Sequence, residues 1–245
     1  MSETVRGSTV LPARREDVEL HTDDGLTLVG ELAVPEHADP VATLVFLHPL
    51  PTHGGFMDSH IVRKAANRLP AMADLAVLRF NFRGVTSPRG TSEGSFGHGI
   101  AERFDLLAAM ALVAGRGLPH PWLVGWSFGT EVALLHGVDQ PIDGVILLSP
   151  PLHRTSEEAL AKWSGSGIPM VALIPEFDDY LRPAEARERF AVVPDAELVE
   201  VEEGKHLWVG ERQTARVLTE IVARANPAAL PLPTEWPPTD EDRTG

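Results

Sequence analysis

Hydrophobic and polar positions follow two rhythms along this chain. Residues 17–34 alternate polar and apolar on either side of Thr22-Asp23-Asp24-Gly25, and an Asp-Gly step between two period-2 segments predicts a β-hairpin. Residues 42–48 (ATLVFLH) instead form a continuous apolar run with β-branched members, closed by Pro49. Such a run is expected of a strand buried on both faces. Comparable runs recur at 76–82 (AVLRFNF), 122–126 (WLVGW), 144–148 (GVILL), 170–174 (MVALI) and 197–201 (ELVEV).

Helical patterns fill the gaps: residues 59–73, 100–114, a stretch starting near Phe128, 184–190 and 211–225. Eight strand candidates interleaved with helices predict the α/β class, an eight-stranded, mostly parallel sheet wrapped by helices on both faces. Residues 84–99, rich in Gly, Ser, Thr and Pro, predict a loop. Only residues 150–167 separate the sixth and seventh strand candidates, too few for a sizeable cap, so a site on this sheet is expected to be open. A chain of 245 residues suits one core. The expected layout is an N-terminal arm at 1–16, a single α/β domain at 17–228 and a mobile, Pro- and acid-rich tail at 229–245.

Charge narrows the partners. Lys and Arg number 21 against 35 for Asp and Glu, a formal charge of −14, which repels phosphate backbones and anionic lipid surfaces. Neither nucleic acid nor membrane is an expected partner, and the sequence does not specify an oligomeric state. Cysteine is absent, which excludes disulfides, thiolate zinc sites and thiol nucleophiles. The first twenty residues carry closely spaced charges and no apolar core of a signal peptide, and no later segment has the roughly 18 uninterrupted apolar residues of a membrane span. A cytoplasmic location is therefore expected.

The chemistry-bearing motif is Gly125-Trp126-Ser127-Phe128-Gly129, at the end of the fifth strand candidate and before a helix. In that strand–turn–helix setting G-x-S-x-G is a nucleophile elbow: the serine occupies a tight, strained turn, and the flanking glycines let the chain pack there. Free amides at the start of the following helix favour an oxyanion beside the serine, with the Phe128 N–H as first donor. The plainer reading is a Gly-Ser turn without chemistry.

With His48-Pro49-Leu50-Pro51-Thr52-His53-Gly54-Gly55-Phe56-Met57-Asp58, Arg79-Phe80-Asn81-Phe82-Arg83-Gly84 and Ser92-Glu93-Gly94-Ser95-Phe96, the chain resembles the small, uncapped bacterial serine hydrolases of the α/β-hydrolase superfamily, carboxylesterase-like, from the first hairpin to the helix after His206. The resemblance implies a second oxyanion donor in the loop after the third strand. Pro49 and Pro51 lack an N–H, which leaves Leu50, although this loop departs from the commoner His-Gly form. His48 and His53 also admit a metal-pair or base reading; side-chain bonds bracing the loop are the plainer account. Arg83 with Asp105 reads as a buried ion pair bracing the next loop.

The resemblance further implies the chain order Ser, then acid, then His. His206 fits, in the loop after the last strand candidate, whereas His153 precedes the acids and His136 lies in a helix. Ile174-Pro175-Glu176-Phe177-Asp178-Asp179-Tyr180 offers the acid. Matching Pro175 to Asp178 with the family's turn favours Asp178, counting back from Pro183 favours Asp179, and Glu176 ranks third. The implied chemistry is acyl transfer from a small-molecule ester, thioester or amide to water, with no cofactor and no metal. Substrate contacts are expected from Trp126, Phe56, Met57, Tyr180 and Trp208, with Phe96, Leu152, Trp163 and Leu181 also near the mouth. The alternatives are an acyltransferase or perhydrolase using the same triad, and a catalytically silent binding protein of the same fold.

Overall fold

The computed structural model describes residues 3–237. Eight strands form one sheet: β1 (Arg14–His21), β2 (Thr27–Val34), β3 (Ala42–Leu47), β4 (Leu75–Phe80), β5 (Pro121–Trp126), β6 (Gly144–Leu148), β7 (Met170–Pro175) and β8 (Glu197–Val201). Their spatial order is β8-β7-β6-β5-β3-β4-β2-β1. From β3 to β8 all neighbours pair in parallel, and the β1–β2 hairpin closes one edge antiparallel.

The periodicity explains the layering. Strands β3 and β4 are buried at every position, because alternate residues face opposite helical layers. Leu44 and Phe46 join the cluster beneath α1 (His60–Ala73) and α6 (Glu211–Ala225), whereas Val45 and Leu47 join the one beneath α2 (Glu102–Gly115) and α3 (Phe128–His136). The hairpin begins at Arg14, which pairs with Val34, three residues earlier than the hydrophobic alternation indicates. Arg14, Arg15 and Glu16 belong to an edge strand, where charged side chains are favoured because they discourage further pairing.

The strand order reverses between β5 and β3. The chain leaves β3 toward α1 and β5 toward α3, on opposite faces, and a crevice opens above the carboxyl ends of the two strands. Between β6 and β7 the chain holds only the short α4 (Glu157–Ala161), so nothing sizeable roofs that crevice. The 83–96 loop is braced as expected: Arg83 bonds Asp105 at 2.8 Å and, beyond that expectation, Asp24 at 2.9 Å. Burial lowers the pKa of the guanidinium, but the bonds to Asp24 and Asp105 outweigh it and hold the group firmly charged.

The tail differs from expectation. Glu235–Trp236 pair antiparallel with Glu3–Thr4, and Leu230 and Leu232 pack on the α1/α6 cluster. Residues 229–237 therefore lie against the domain, because these leucines cover apolar surface that a free tail would leave wet. The expectation for 238–245 lies outside the described residues. Among the described residues no helix is long and apolar enough to cross a membrane.

Candidate active site

Ser127 connects β5 to α3 with φ 52° and ψ −115°, a left-handed conformation that costs on the order of 1–3 kcal/mol for a non-glycine residue. Close packing holds it there. A Cβ on Gly125 would meet the Gly129 carbonyl oxygen at 2.6 Å, so the two glycines of the motif lie against each other across the turn. The result is a hydroxyl lifted above the sheet edge, half-buried at the crevice.

Two further loops converge on it. His206 Nε2 lies 2.8 Å from Ser127 Oγ, and His206 Nδ1 lies 3.0 Å and 3.2 Å from Oδ2 and Oδ1 of Asp178. The carboxylate can only accept, so Nδ1 carries the proton of the neutral ring and Nε2 accepts from the serine hydroxyl. Asp178 is 2% exposed. Its Oδ1 also accepts the backbone N–H groups of Tyr180 at 2.8 Å and Leu181 at 3.2 Å, as a buried carboxylate requires. Asp179 is the next residue in the turn and is exposed, lining a groove with Glu203, Lys205, His206 and Leu207, but no hydrogen bond joins it to the imidazole among the described residues. Glu176 is exposed too and accepts the Glu203 N–H. Asp178 alone of the three faces the imidazole.

The loop after β3 is held by His48. Its Nδ1 donates to the Pro49 carbonyl at 2.7 Å and its Nε2 accepts the Phe82 N–H at 3.0 Å. Both ring nitrogens are used, which removes His48 as a metal ligand or base, and His53 is exposed on the outer turn. Burial pushes the His48 pKa down to about 4, against the pull of the Pro49 carbonyl. A Cβ on Gly129 would meet the Leu47 and His48 carbonyl oxygens at 1.9 and 3.0 Å, so this loop abuts the elbow. Phe128, as first residue of α3, has no intrahelical acceptor for its N–H, and no acceptor for the Leu50 N–H is found among the described residues.

A scan against protein-family models and a search of the curated proteins give no match. Solved structures do match. A lid-less α/β serine hydrolase from Xanthomonas campestris superposes with a TM-score of 0.72 and 27% identity, over 92% of this chain and 100% of its own. An α/β serine hydrolase homologue from Coxiella burnetii gives 0.72 and 23%, over 86% and 97%. An esterase from Pyrococcus furiosus gives 0.68 and 21%, over 86% and 93%. The chain has the α/β-hydrolase fold, and among the described residues no insertion large enough to form a lid follows β6.

On this α/β-hydrolase fold the expected pocket walls divide. Trp126, Met57 and Trp208 are 2%, 0% and 0% exposed and offer no surface to a ligand, correcting the expectation of substrate contact. Leu152, Trp163 and Leu181 are core residues as well. Burying such a side chain is worth roughly 1.5–3 kcal/mol, so large apolar residues on these loops fold back onto the helices. Phe56 and Phe96 are half-buried and line a groove of about 560 Å³ between the 51–56 and 83–88 loops, a groove whose lining does not include Ser127 or His206, and Phe96 packs on Phe128 at 5.3 Å. Tyr180 is 51% exposed and stands against His206.

Trp126 has another duty: its Nε1 donates to the His206 carbonyl at 3.1 Å. Ser149 donates to the same oxygen at 3.2 Å, and His60 Nε2 donates to the Leu207 carbonyl at 2.6 Å. These three pin the backbone of the histidine loop. Sequence reasoning missed Ser149 and His60 because neither sits in a motif; the only signal for Trp126 was its place inside the elbow.

Proposed function

We propose that the protein is a serine hydrolase that cleaves an ester, or a thioester or amide, through an acyl-enzyme on Ser127. One observation carries the reading: the 2.8 Å contact of Ser127 Oγ with His206 Nε2, continued through Nδ1 to Asp178. A serine hydroxyl is a weak nucleophile until a base takes its proton. Oγ attacks the substrate carbonyl carbon as its proton passes to Nε2, and Asp178 balances the charged imidazole. The oxyanion accepts from the Phe128 and Leu50 N–H groups. Collapse breaks the bond to the leaving group, which takes the proton from Nε2. Water then gives a proton to Nε2 and bonds to the acyl carbon; the second collapse frees the acid and returns the proton to Oγ. The steps require no cofactor.

Similarity to serine hydrolases and an esterase supports hydrolysis, with esters first. Tyr180, half-exposed against His206, and the short connection between β6 and β7 favour small acyl substrates of short to medium length. A fluorophosphonate probe tests the reading: it modifies Ser127 in the native protein, located by mass spectrometry of the peptide, and leaves Ser127→Ala and His206→Ala unlabelled. A native protein that stays unlabelled and inert toward a panel of aryl esters refutes it.

A further inference from the structure

The imidazole and carboxylate of the site share a neighbour that the hydrolytic steps above do not employ. Tyr180 follows Asp178 by two residues, and its N–H donates to Asp178 Oδ1 at 2.8 Å. Its ring packs against the His206 imidazole, with centroids 4.6 Å apart and planes at 70°. A single residue thus grips the acid through its backbone and the base through its side chain.

The ring is itself held. His153 also contacts it, 5.4 Å away with planes at 83°. The His153 N–H donates at 2.6 Å to Glu131, a carboxylate fully buried within α3 that also accepts from Arg154 and Thr155. Leu181, next in the chain, is 1% exposed and anchors the backbone beneath Tyr180. The tyrosine ring is half-exposed yet in contact with two imidazoles.

The imidazole is held by Asp178 at Nδ1 and by Ser127 at Nε2, and the second of these contacts is given up as Oγ attacks, which leaves the carboxylate as the ring's remaining polar anchor. Trp126, Ser149 and His60 steady the backbone carbonyls of the loop and leave the ring untouched. An aromatic ring meeting the imidazole in a T-shaped contact restricts its tilt. Alignment matters because a displacement of about 1 Å can cost on the order of 100-fold in rate.

We propose that Tyr180 is a positioning residue for the acid–base pair: its N–H orients Asp178, and its ring keeps the His206 imidazole in line with Ser127. The proposal rests on the serine hydrolase reading. A residue that only walls the substrate site alters KM and substrate preference; a positioning residue alters kcat and the labelling rate of Ser127 whatever the substrate.

The test uses the full chain with Tyr180→Phe, Tyr180→Leu and Tyr180→Ala, comparing kcat and KM on an aryl ester, the second-order rate of Ser127 labelling by a small fluorophosphonate, and Tm. The Phe variant is expected to stay near the native rate. Leu and Ala are expected to lose about 10- to 100-fold in both kcat and labelling rate, with KM and Tm little changed. Leu keeps the apolar bulk and carries the test should Ala fold poorly. Labelling of the Leu variant at the native rate, an effect confined to KM, or a Phe variant as slow as Leu overturns the positioning role. Native Ser127 that resists the probe altogether refutes the hydrolase reading instead, so the two failures are distinct.

Discussion

Gly129 lies directly against Leu47: a Cβ at position 129 would fall 1.9 Å from the Leu47 carbonyl oxygen. That contact seats the first turn of α3 on the end of β3 and brings the elbow against the loop that carries Leu50. No side chain fits between two backbones this close. Gly129→Ala is expected to destabilise the protein by about 3 kcal/mol, the upper end for overpacking, and to slow Ser127 labelling in whatever fraction stays folded. Urea unfolding together with fluorophosphonate labelling checks both; unchanged values would mean the two backbones separate without penalty.

The two aspartates of the turn should respond very differently to the same change. Asp178→Asn keeps the shape but lets the amide favour the wrong imidazole tautomer, and kcat should fall on the order of 10⁴-fold, as for other triads of this type. Asp179→Asn alters an exposed side chain and should leave kcat within a factor of about two, because surface substitutions away from a site usually cost little. Steady-state kinetics on one ester separates them, and comparable losses in the two variants would contradict the assignment.

Leu50 can be tested by removing its N–H without changing its backbone. Leu50 has φ −55° and ψ 117°, which a proline adopts readily. Leu50→Pro deletes the donor and is expected to lower kcat by about 10²- to 10³-fold with KM little changed. Leu50→Ala, which keeps the N–H, controls for the lost side chain. A proline variant no slower than the alanine variant would assign the oxyanion donor elsewhere.

His48 should make stability depend on pH. Its pKa is lowered by burial from 6.5 to about 4 in the folded chain, and only the neutral ring accepts the Phe82 N–H. In that window the unfolded chain binds a proton that the folded chain refuses, so stability rises with pH. The contribution is complete above pH 6.5 and is lost as pH falls toward 4, by on the order of 3 kcal/mol at roughly 1.4 kcal/mol per pKa unit. His60 and His136, also lowered chiefly by burial, add in the same direction. His48→Gln can replace both hydrogen bonds without titrating. Urea midpoints of this variant should therefore decline less steeply on acidification than those of the native protein.

The order of elements was legible because each depends on local pattern. All eight strands of the sheet lie at the apolar runs or hairpin segments, shifted by up to three residues at their ends, and α6 spans 211–225 as read from the sequence. The elbow was legible for a similar reason, since the demands of a strained turn are written in five consecutive residues. The walls were not. Met57, Trp126 and Trp208 sit beside motif residues yet are buried, and nothing in a sequence distinguishes a large apolar side chain facing a crevice from one facing a helix.

By itself, then, the chain's pattern determined an α/β sheet, the strand on which Ser127 stands, and a short menu of acids and bases. The choice of Asp178 over Asp179 belongs to tertiary structure: one residue faces inward where two backbone N–H groups and the His206 ring await it, and its neighbour faces water. The fastening of the histidine loop by His60, Trp126 and Ser149 belongs there too. Periodicity is set by each residue's nearest neighbours along the chain, but a hydrogen bond between residues 79 positions apart, as between Ser127 and His206, exists only once the whole sheet has assembled.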